Sequence, residues 1–232
     1  VQQMTQKQPI ISQRIKSANK TPLQDILPVR TPSSAHVDIS SICNYRCSFC
    51  FQADTKGMKE VGLKRGWMEV DMFKRIVDGF KEFPNKIKKI KIGNHGEPTL
   101  HPDVAKMVKY ARESETADII EMFTNGSRLE PKLNEEMVKA GLQRINVSLE
   151  GLTNERYLDV AGVKQNFQEL IDGVKSLYEI KPREKSDLQI YVQIADQSHA
   201  LNGDKYVKFM MTEDERQFFF DTFTPFCYEF FF

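Results

Sequence analysis

Strand-like stretches recur along the chain from residue 36 onward. Side chains that alternate between polar and apolar from one position to the next are typical of a half-buried strand, because successive side chains point to opposite faces. The stretch 188–194 shows this period cleanly, with an aliphatic residue at every second position, and at 87–92 isoleucines alternate with lysines. Similar stretches predict six strands in all, at residues 36–41, 87–92, 119–123, 145–149, 188–194 and 228–232.

Apolar side chains between these strands recur at spacings of three and four residues, which indicates helices with one buried face. The first predicted helix covers 68–83 and carries on its apolar face Met72, Phe73, Ile76, Val77 and Phe80. Two later helices have faces of the same kind, formed by Val104, Met107, Val108 and Ala111 and by Phe167, Leu170, Ile171, Val174 and Leu177.

Local signals mark where the helices begin and end. Pro102 suits the first turn of a helix, and Gly141 is expected to end the helix over 131–140. Pro182 should stop the helix before it, because the residue preceding a proline disfavours helical geometry. Thr212 and Glu215 have the spacing of a capping box at the beginning of a Phe-rich helix.

Strands that alternate with helices predict a parallel sheet with right-handed crossovers. About six such units are too few to close an eight-stranded barrel, so we expect an α/β fold with an open, partial TIM-type barrel. In such barrels the chemistry lies at the carboxyl ends of the strands. The unusual loops of this chain all follow predicted strands, at 43–50, 93–98, 125–126 and 150–151. The sequence therefore predicts one shared site.

The composition excludes several classes of protein. The chain has 232 residues and a formal net charge of +1, so neither nucleic acid nor a membrane surface is indicated as a partner. No apolar run approaches the roughly 20 residues of a membrane span, and the N-terminal stretch has no apolar signal core. We expect a cytoplasmic location.

The domain organisation predicted from the sequence is simple. Residues 1–30 form an extended polar lead-in, and 31–232 form the core domain. Because the chain ends in three consecutive phenylalanines, we expect the core to be cut off at its sixth strand, which would then lie open at the sheet edge.

A cysteine triplet is the strongest chemical signal. Cys43, Cys47 and Cys50 have the spacing C-x3-C-x2-C, and thiolates are the usual ligands of iron–sulfur clusters. Three cysteines can bind three irons of a [4Fe–4S] cube and leave the fourth iron open to a small chelating molecule. A zinc site, with His95 or Cys227 as the fourth ligand, and plain buried cysteines remain alternatives. We expect Cys227 itself to be a buried core cysteine.

The triplet, with the aromatic Phe49 before its last cysteine, resembles the signature of the radical S-adenosylmethionine (radical SAM) superfamily. The resemblance covers roughly residues 36–195. It implies a [4Fe–4S] cluster on the three cysteines and S-adenosylmethionine on the open iron. Reductive cleavage of S-adenosylmethionine would give a 5′-deoxyadenosyl radical that abstracts hydrogen from a substrate. By the same resemblance Phe49 would lie near the adenine.

The loop after the second strand is similar to the family's G-G-E-P segment. The similarity implies that Gly96, Glu97 and Pro98 help to bind the methionine amino group, with Glu97 supplying a carboxylate. His95 stands where the family usually has its first glycine, and we expect it to be a loop residue or one that supports the site indirectly.

Four further positions enter through the resemblance. Asn125 belongs to a T-N-G turn after the third strand, and Ser148 and Glu150 belong to a segment similar to the family's S-x-D-G, with Glu150 in place of aspartate. Ile194, next to Gln193, lies near where the family's backbone meets the adenine.

The resemblance also implies partners: a reduced flavodoxin or ferredoxin-type electron donor and a substrate that the sequence does not identify. Members with a C-terminal Cys-rich (SPASM) extension are most similar, which favours a peptide, a protein side chain or a small sugar as substrate. A lysine cluster at Lys86, Lys88, Lys89 and Lys91 is interpreted as a solvated strand edge, with docking of an acidic donor as the alternative.

Three functional hypotheses stay open at this point. The leading one is a radical SAM oxidoreductase or maturase. The second is a zinc-stabilised binding domain without catalysis. The third is a catalytically incomplete fragment of a radical SAM protein.

Overall fold

The computed structural model describes residues 11–12, 22–25, 27–194, 198–200, 206–208 and 211–231. The described strands are β1 (Ile11–Ser12), β2 (Ser34–Val37), β3 (Ile87–Ile92), β4 (Ala117–Thr124), β5 (Arg144–Leu149), β6 (Gln189–Ile194), β7 (Ser198–Ala200), β8 (Tyr206–Lys208) and β9 (Glu229–Phe231). The α-helices are α1 (Thr55–Glu60), α2 (Val70–Gly79), α3 (Val104–Glu113), α4 (Pro131–Lys139), α5 (Asn154–Ala161), α6 (Phe167–Arg183) and α7 (Glu213–Phe223). Short 3₁₀ helices cover Leu23–Asp25, Phe51–Ala53, Phe80–Glu82 and Pro98–Leu100.

The main sheet has the strand order β1-β9-β6-β5-β4-β3-β2, and every neighbouring pair is parallel. The strands β7 and β8 form a separate antiparallel pair. Because β1 and β2 lie at opposite edges, the sheet does not close. The predicted α/β fold with an open partial barrel is therefore confirmed, and the short β1 adds one strand to the predicted six.

The two faces of the sheet differ in polarity. Along one face the register aligns Ile92 with Met122, and Met122 with Ile145, and all three side chains are fully buried in the hydrophobic core. Along the opposite face the register aligns a polar row, which consists of His36, Lys91, Glu121, Arg144 and Gln189. Helices surround a barrel of this type, so the apolar face is the outer face and the polar row lies on the inner face.

The lysine cluster at Lys86, Lys88, Lys89 and Lys91 was interpreted as a solvated strand edge, and this interpretation was wrong for two of the four lysines. The strand β3 lies between β2 and β4, and Lys89 and Lys91 are on its inner face. Lys86 and Lys88 are exposed outside this row. From Lys89 to Ile92 the alternation of lysine and isoleucine therefore reflects the two faces of an interior strand.

The last strand also differs from its prediction, because it is not at the edge of the sheet. The strand β9 lies between β6 and β1, with Ile11 opposite Phe230 and Ser12 opposite Phe231. A segment of the polar lead-in thus pairs with it. The domain boundary near residue 30 and the cut at the sixth strand stay predictions.

Several element boundaries needed correction. The strand predicted over 36–41 corresponds to β2, which ends at Val37. Beyond it Ser40 does not pair with β3 and forms an antiparallel bridge with Trp67 instead. The helix predicted over 68–83 ends at Gly79 and continues as a 3₁₀ turn. Met72 is 45% exposed, because the buried face of the helix is set by positions three and four apart from Phe73, and Met72 falls beside that face.

The helix ends were predicted with mixed success. Helix α3 begins two residues after Pro102, with Asp103 at its N-cap. Pro182 lies inside the last turn of α6, where a proline removes only one intrahelical hydrogen bond, and the helix ends with Glu184 N–H donating to the Ile180 carbonyl at 3.2 Å. The capping box of Thr212 and Glu215 is confirmed. Helices α1 and α5 were missed.

Among the described residues no helix is both long and apolar enough to cross a membrane.

Candidate active site

The cysteine triplet lies on the loop that follows β2, and backbone hydrogen bonds fix this loop on helix α5. Arg46 N–H donates to the Ala161 carbonyl, and Ser48 N–H donates to the Val160 carbonyl, both at 2.8 Å. These carbonyls belong to the last turn of α5, where they have no partner within the helix. The cluster loop therefore satisfies the helix end, and the helix end positions the cysteines.

The three thiols lie at the border between core and surface. Cys47 is buried and Cys43 and Cys50 are partly buried, and all three are free. Burial raises the pKa of the Cys43 and Cys47 thiols, because a thiolate is poorly solvated there. Without a cation these two thiols are held in their neutral form, whereas a bound metal would deprotonate them.

Asn125 ties the cluster loop to the loop after β4. Its side-chain amide donates to Asn44 Oδ1 at 3.0 Å and to Cys43 Sγ at 3.8 Å. Asn44 in turn donates to Ser127 Oγ at 2.8 Å. The predicted site residue Asn125 thus contacts a predicted cluster ligand directly.

Glu97 is buried at the centre of the site, and its carboxylate is saturated by groups of the protein. Oε1 accepts from Thr99 N–H, Thr99 Oγ1 and Thr124 Oγ1 at 3.0, 2.6 and 2.7 Å, and Oε2 accepts from Asn125 N–H at 2.6 Å. Burial raises the pKa of Glu97, while these hydrogen bonds lower it. In this structure Glu97 connects the loop after β3 to the loop after β4.

Gly96 lets the loop after β3 pass very close to the loop after β2. Its φ is +76°, and a Cβ at this position would lie 2.2 Å from the Ser40 carbonyl oxygen. Glu97 N–H donates to the Ile42 carbonyl at 2.8 Å, just before the triplet. Pro98, also buried, begins the following 3₁₀ helix. Only glycine fits this contact between the two loops.

His95 is held in place by Asp38, which follows β2. Asp38 accepts from the backbone of Asn94 and of His95 through Oδ1, and its Oδ2 lies 2.8 Å from His95 Nδ1. The His95 ring packs edge-on against Phe51, one residue after the last cysteine of the triplet. This supports the expectation that His95 is a loop residue acting indirectly on the site.

The predicted residues on β5 and β6 lie side by side. Gln193 donates to Ser148 Oγ at 2.6 Å, and the register pairs Leu149 with Ile194. Glu150 lies next to Cys47, whose thiol hydrogen-bonds to it, and burial raises the pKa of Glu150 to about 7. Phe49 is 46% exposed on the cluster loop. All the predicted site residues therefore belong to loops or strand ends at the carboxyl end of the sheet.

The family model described as the radical SAM superfamily matches residues 37–192. The chain belongs to this superfamily. Radical SAM enzymes use a [4Fe–4S] cluster and S-adenosylmethionine, so the predicted cofactors and the radical SAM class of catalyst are confirmed at the level of the family. The assignment to the SPASM subgroup stays a prediction.

Curated relatives carry one recurring description. A GTP 3′,8-cyclase of Mannheimia succiniciproducens is 27% identical over 144 residues, which are 62% of this chain and 40% of the relative. A probable GTP 3′,8-cyclase of Thermococcus kodakarensis is 32% identical over 146 residues, which are 63% of this chain and 44% of the relative. This radical SAM chain thus spans less than half the length of these relatives.

Solved structures show the same fold. Streptococcus suis SuiB bound to S-adenosylmethionine superposes with a TM-score of 0.61 and 16% identity, covering 83% of this chain and 38% of SuiB. HydG, a maturase of the [FeFe]-hydrogenase, gives a TM-score of 0.53 and 11% identity, covering 72% of this chain and 36% of HydG. At such low identity the likeness concerns the fold alone.

The radical SAM cysteines fit the cluster that the family uses. In the ranges that the structure describes, no three His, Cys, Asp or Glu side chains are placed to share a single metal ion. The ligands of a cube bind separate irons and therefore stand apart. The triplet supplies three free thiols, one buried and two partly buried, on a loop fixed by backbone hydrogen bonds, and this is the number of protein ligands that such a cluster with one open iron needs.

Some residues of the site were missed from the sequence. Asp38 lies outside every motif, and Asn44 and Tyr45 are spacer positions of the cysteine motif with no role predicted for them. Tyr45 OH nevertheless donates to Gln165 Oε1 at 2.8 Å, and its ring packs edge-on against Tyr157. The signal for α5 was present in Thr153, which caps its first turn, and in Gly162 after its last.

Proposed function

We propose that this chain is the catalytic core of a radical SAM enzyme that abstracts hydrogen from a substrate. Cys43, Cys47 and Cys50 are its cluster ligands, and the loops after β3, β4 and β5 form its S-adenosylmethionine site. The observation that supports this most is the convergence of four separate motifs on one sheet edge around the cysteine loop.

The [4Fe–4S] cluster that Cys43, Cys47 and Cys50 would hold would supply the electron for reductive cleavage of S-adenosylmethionine. The residues of the chain orient and enclose this chemistry. Asn125 fixes the loop of Cys43, and Glu97 joins the loops on which the methionine end of the cofactor would lie.

The remaining cofactor contacts follow the same arrangement. Ser148 presents its hydroxyl, supported by Gln193, at the end of β5. Gly96 and Pro98 shape the turn that would receive the methionine amino group, and the backbone at Ile194 together with Phe49 would border the adenine. Glu150, beside Cys47, is the remaining carboxyl group of this edge.

The substrate and the electron donor are further parts of the proposal. We expect a reduced flavodoxin or ferredoxin-type donor. The cyclase relatives carry GTP in their names. A nucleotide therefore joins the candidate substrates expected from the sequence, which are a peptide, a protein side chain or a small sugar. Because the chain spans about two-fifths of those relatives, turnover of the substrate would also depend on the remainder of such a protein.

Cluster binding tests the proposal directly. Anaerobically reconstituted protein should hold about four irons and four sulfides per chain. Replacing Cys43, Cys47 and Cys50 together by alanine should abolish this binding, because no thiolate of the triplet remains. Iron and sulfide analysis with electron paramagnetic resonance of the reduced protein measures it.

The matched control is Cys227→Ala. Cys227 packs against the core outside the triplet, and burial raises its pKa. This variant should keep the full iron content. Stoichiometric zinc without iron in the wild-type protein would favour the zinc-stabilised domain. Iron without any spectral response to S-adenosylmethionine would favour the catalytically incomplete fragment.

A further inference from the structure

The inner face of the sheet carries an unbalanced set of charges, which we call the inner-face cluster. It consists of Lys89, Lys91, Glu121 and Arg144 on three adjacent strands. Glu121 lies at its centre with its side chain only 4% exposed. The cluster thus contains three cations and a single carboxylate, on the inner face of the barrel.

Glu121 is already engaged by two of the three cations. Its Oε2 lies 3.5 Å from Lys89 Nζ, and its Oε1 lies 3.6 Å from Arg144 Nη1. Asn146 adds a hydrogen bond to Oε1 at 3.1 Å. Burial lowers the pKa of Lys89, while the charge of Glu121 raises it. The two ion pairs with Lys89 and Arg144 thus already engage the Glu121 carboxylate.

Lys91 is the third cation of the inner-face cluster, and it does not pair with Glu121. Among the described side chains it has no carboxylate within ion-pairing distance, and its ammonium lies over the Phe123 ring, 5.8 Å from the centroid. Phe123 directly precedes Thr124, which binds Glu97, so the ammonium lies below the loops of the candidate cofactor site.

The groups around Lys91 do not neutralise it. Burial, followed by the charge of Lys91, lowers the pKa of the neighbouring His36, which favours a neutral ring. Asp38, the next carboxylate on this side of β2, is occupied by His95 and Asn94. Lys91 is partly buried and has no counter-ion among the described side chains, which is unfavourable, and an anionic ligand would offset that cost.

We propose that Lys91 binds an anionic group, a phosphate or a carboxylate, of the substrate. This inference rests on the proposed function, because it places the substrate on the inner face below the radical-generating edge. Arg144 and Lys89 hold Glu121 in place and add to the positive potential around the bound anion. Lys91 is thereby a specificity-determining residue for the substrate class.

The test compares two anions on protein reconstituted with its cluster and S-adenosylmethionine. Tripolyphosphate represents phosphates and citrate represents carboxylates, and isothermal titration calorimetry measures both. We expect Lys91→Gln to lower the affinity for the preferred anion about tenfold or more. Lys91→Arg keeps the charge and should change this affinity less than about threefold. The anion whose affinity falls more in Lys91→Gln identifies the anionic group, phosphate or carboxylate, that Lys91 binds.

The control is Lys88→Gln, which removes an exposed lysine of the same strand but from the other face. It should leave anion binding unchanged. Absence of binding by either anion to the wild-type protein would overturn the inference, and so would equal losses in Lys88→Gln and Lys91→Gln.

Cleavage of S-adenosylmethionine by the reduced protein, measured in the same samples, separates the two proposals. Unchanged cleavage in Lys91→Gln together with lost anion binding supports both. Cleavage with anion binding that does not depend on Lys91 contradicts this inference alone. Anion binding that depends on Lys91, in a wild-type protein that cleaves nothing, contradicts the proposed function alone.

Discussion

At the scale of single residues, Glu97 shows how a motif residue can serve the site from inside the protein. The resemblance to the family implies a contact with the methionine amino group, and that contact stays a prediction. The structure shows four donors from Thr99, Thr124 and Asn125 on one buried carboxylate. Glu97 therefore holds together two loops of the candidate cofactor site.

We predict that Glu97→Ala lowers the free energy of unfolding by about 3 kcal/mol, because it leaves several buried donors without an acceptor. Urea denaturation of the cluster-free protein measures the loss. The variant should also weaken the response of the reduced cluster to S-adenosylmethionine, because both loops lose their connection.

Glu97→Gln is the matched variant, since it keeps one acceptor oxygen and the volume of the side chain. Its loss of stability should be clearly smaller than that of Glu97→Ala. A loss below about 0.5 kcal/mol in Glu97→Ala, the range of ordinary surface substitutions, would show that these hydrogen bonds do not hold the loops.

At the scale of elements, α5 and the cluster loop depend on each other. The last carbonyls of the helix, at Val160 and Ala161, accept the N–H groups of the cluster loop. Gly162 then ends the helix with φ +65°, and a Cβ there would lie 3.5 Å from the nearest atom, in Arg46. Space is therefore available, and the cost of any side chain at this position comes from the left-handed backbone.

We predict that Gly162→Ala destabilises the protein by about 1 kcal/mol, because an L-residue is disfavoured in that conformation. Fewer chains should then retain the cluster at elevated temperature, since the loop loses its fixed carbonyls. Urea denaturation and iron retained per chain measure the two effects.

Gly79→Ala is the matched control for this substitution. Gly79 lies in the right-handed helical region at the end of α2, and a Cβ there would meet nothing within 4 Å. The alanine should raise stability by roughly 0.5 kcal/mol, because it restricts the unfolded chain. Equal effects of the two substitutions would contradict the role assigned to Gly162.

At the scale of the whole molecule, the sheet separates an apolar outer face from a charged inner face. The buried Glu121 compensates two cations that face it across three strands. We predict that Glu121→Gln costs about 3 kcal/mol of stability, because it leaves Lys89 and Arg144 without a counter-charge in a partly buried place. Thermal and urea unfolding measure the change.

Glu60→Gln is the surface counterpart, because Glu60 pairs with Lys56 in an exposed i,i+4 arrangement at 3.8 Å. Its cost should stay below about 0.5 kcal/mol. If both substitutions cost the same, the inner-face cluster contributes no more to stability than an exposed ion pair.

The sequence determined much of this protein by local means. The cysteine spacing, the Gly96-Glu97-Pro98 turn and the periods of the strands depend on neighbours in the chain, so the superfamily, the open barrel and the cysteine loop followed from them. The capping box at Thr212 and the strand over Ile87–Ile92 were also read correctly for this reason.

Only the tertiary structure decided which groups meet across the sheet. Nothing in the local sequence shows that Lys89 and Lys91 lie on an interior strand, that Asp38 binds His95, or that Ile11–Ser12 pairs with the last strand. These contacts join residues far apart in the chain, and their geometry depends on strand order and register. The periodicity of a strand fixes which side chains share a face, but only the assembled sheet fixes which face is buried and which charges it brings together.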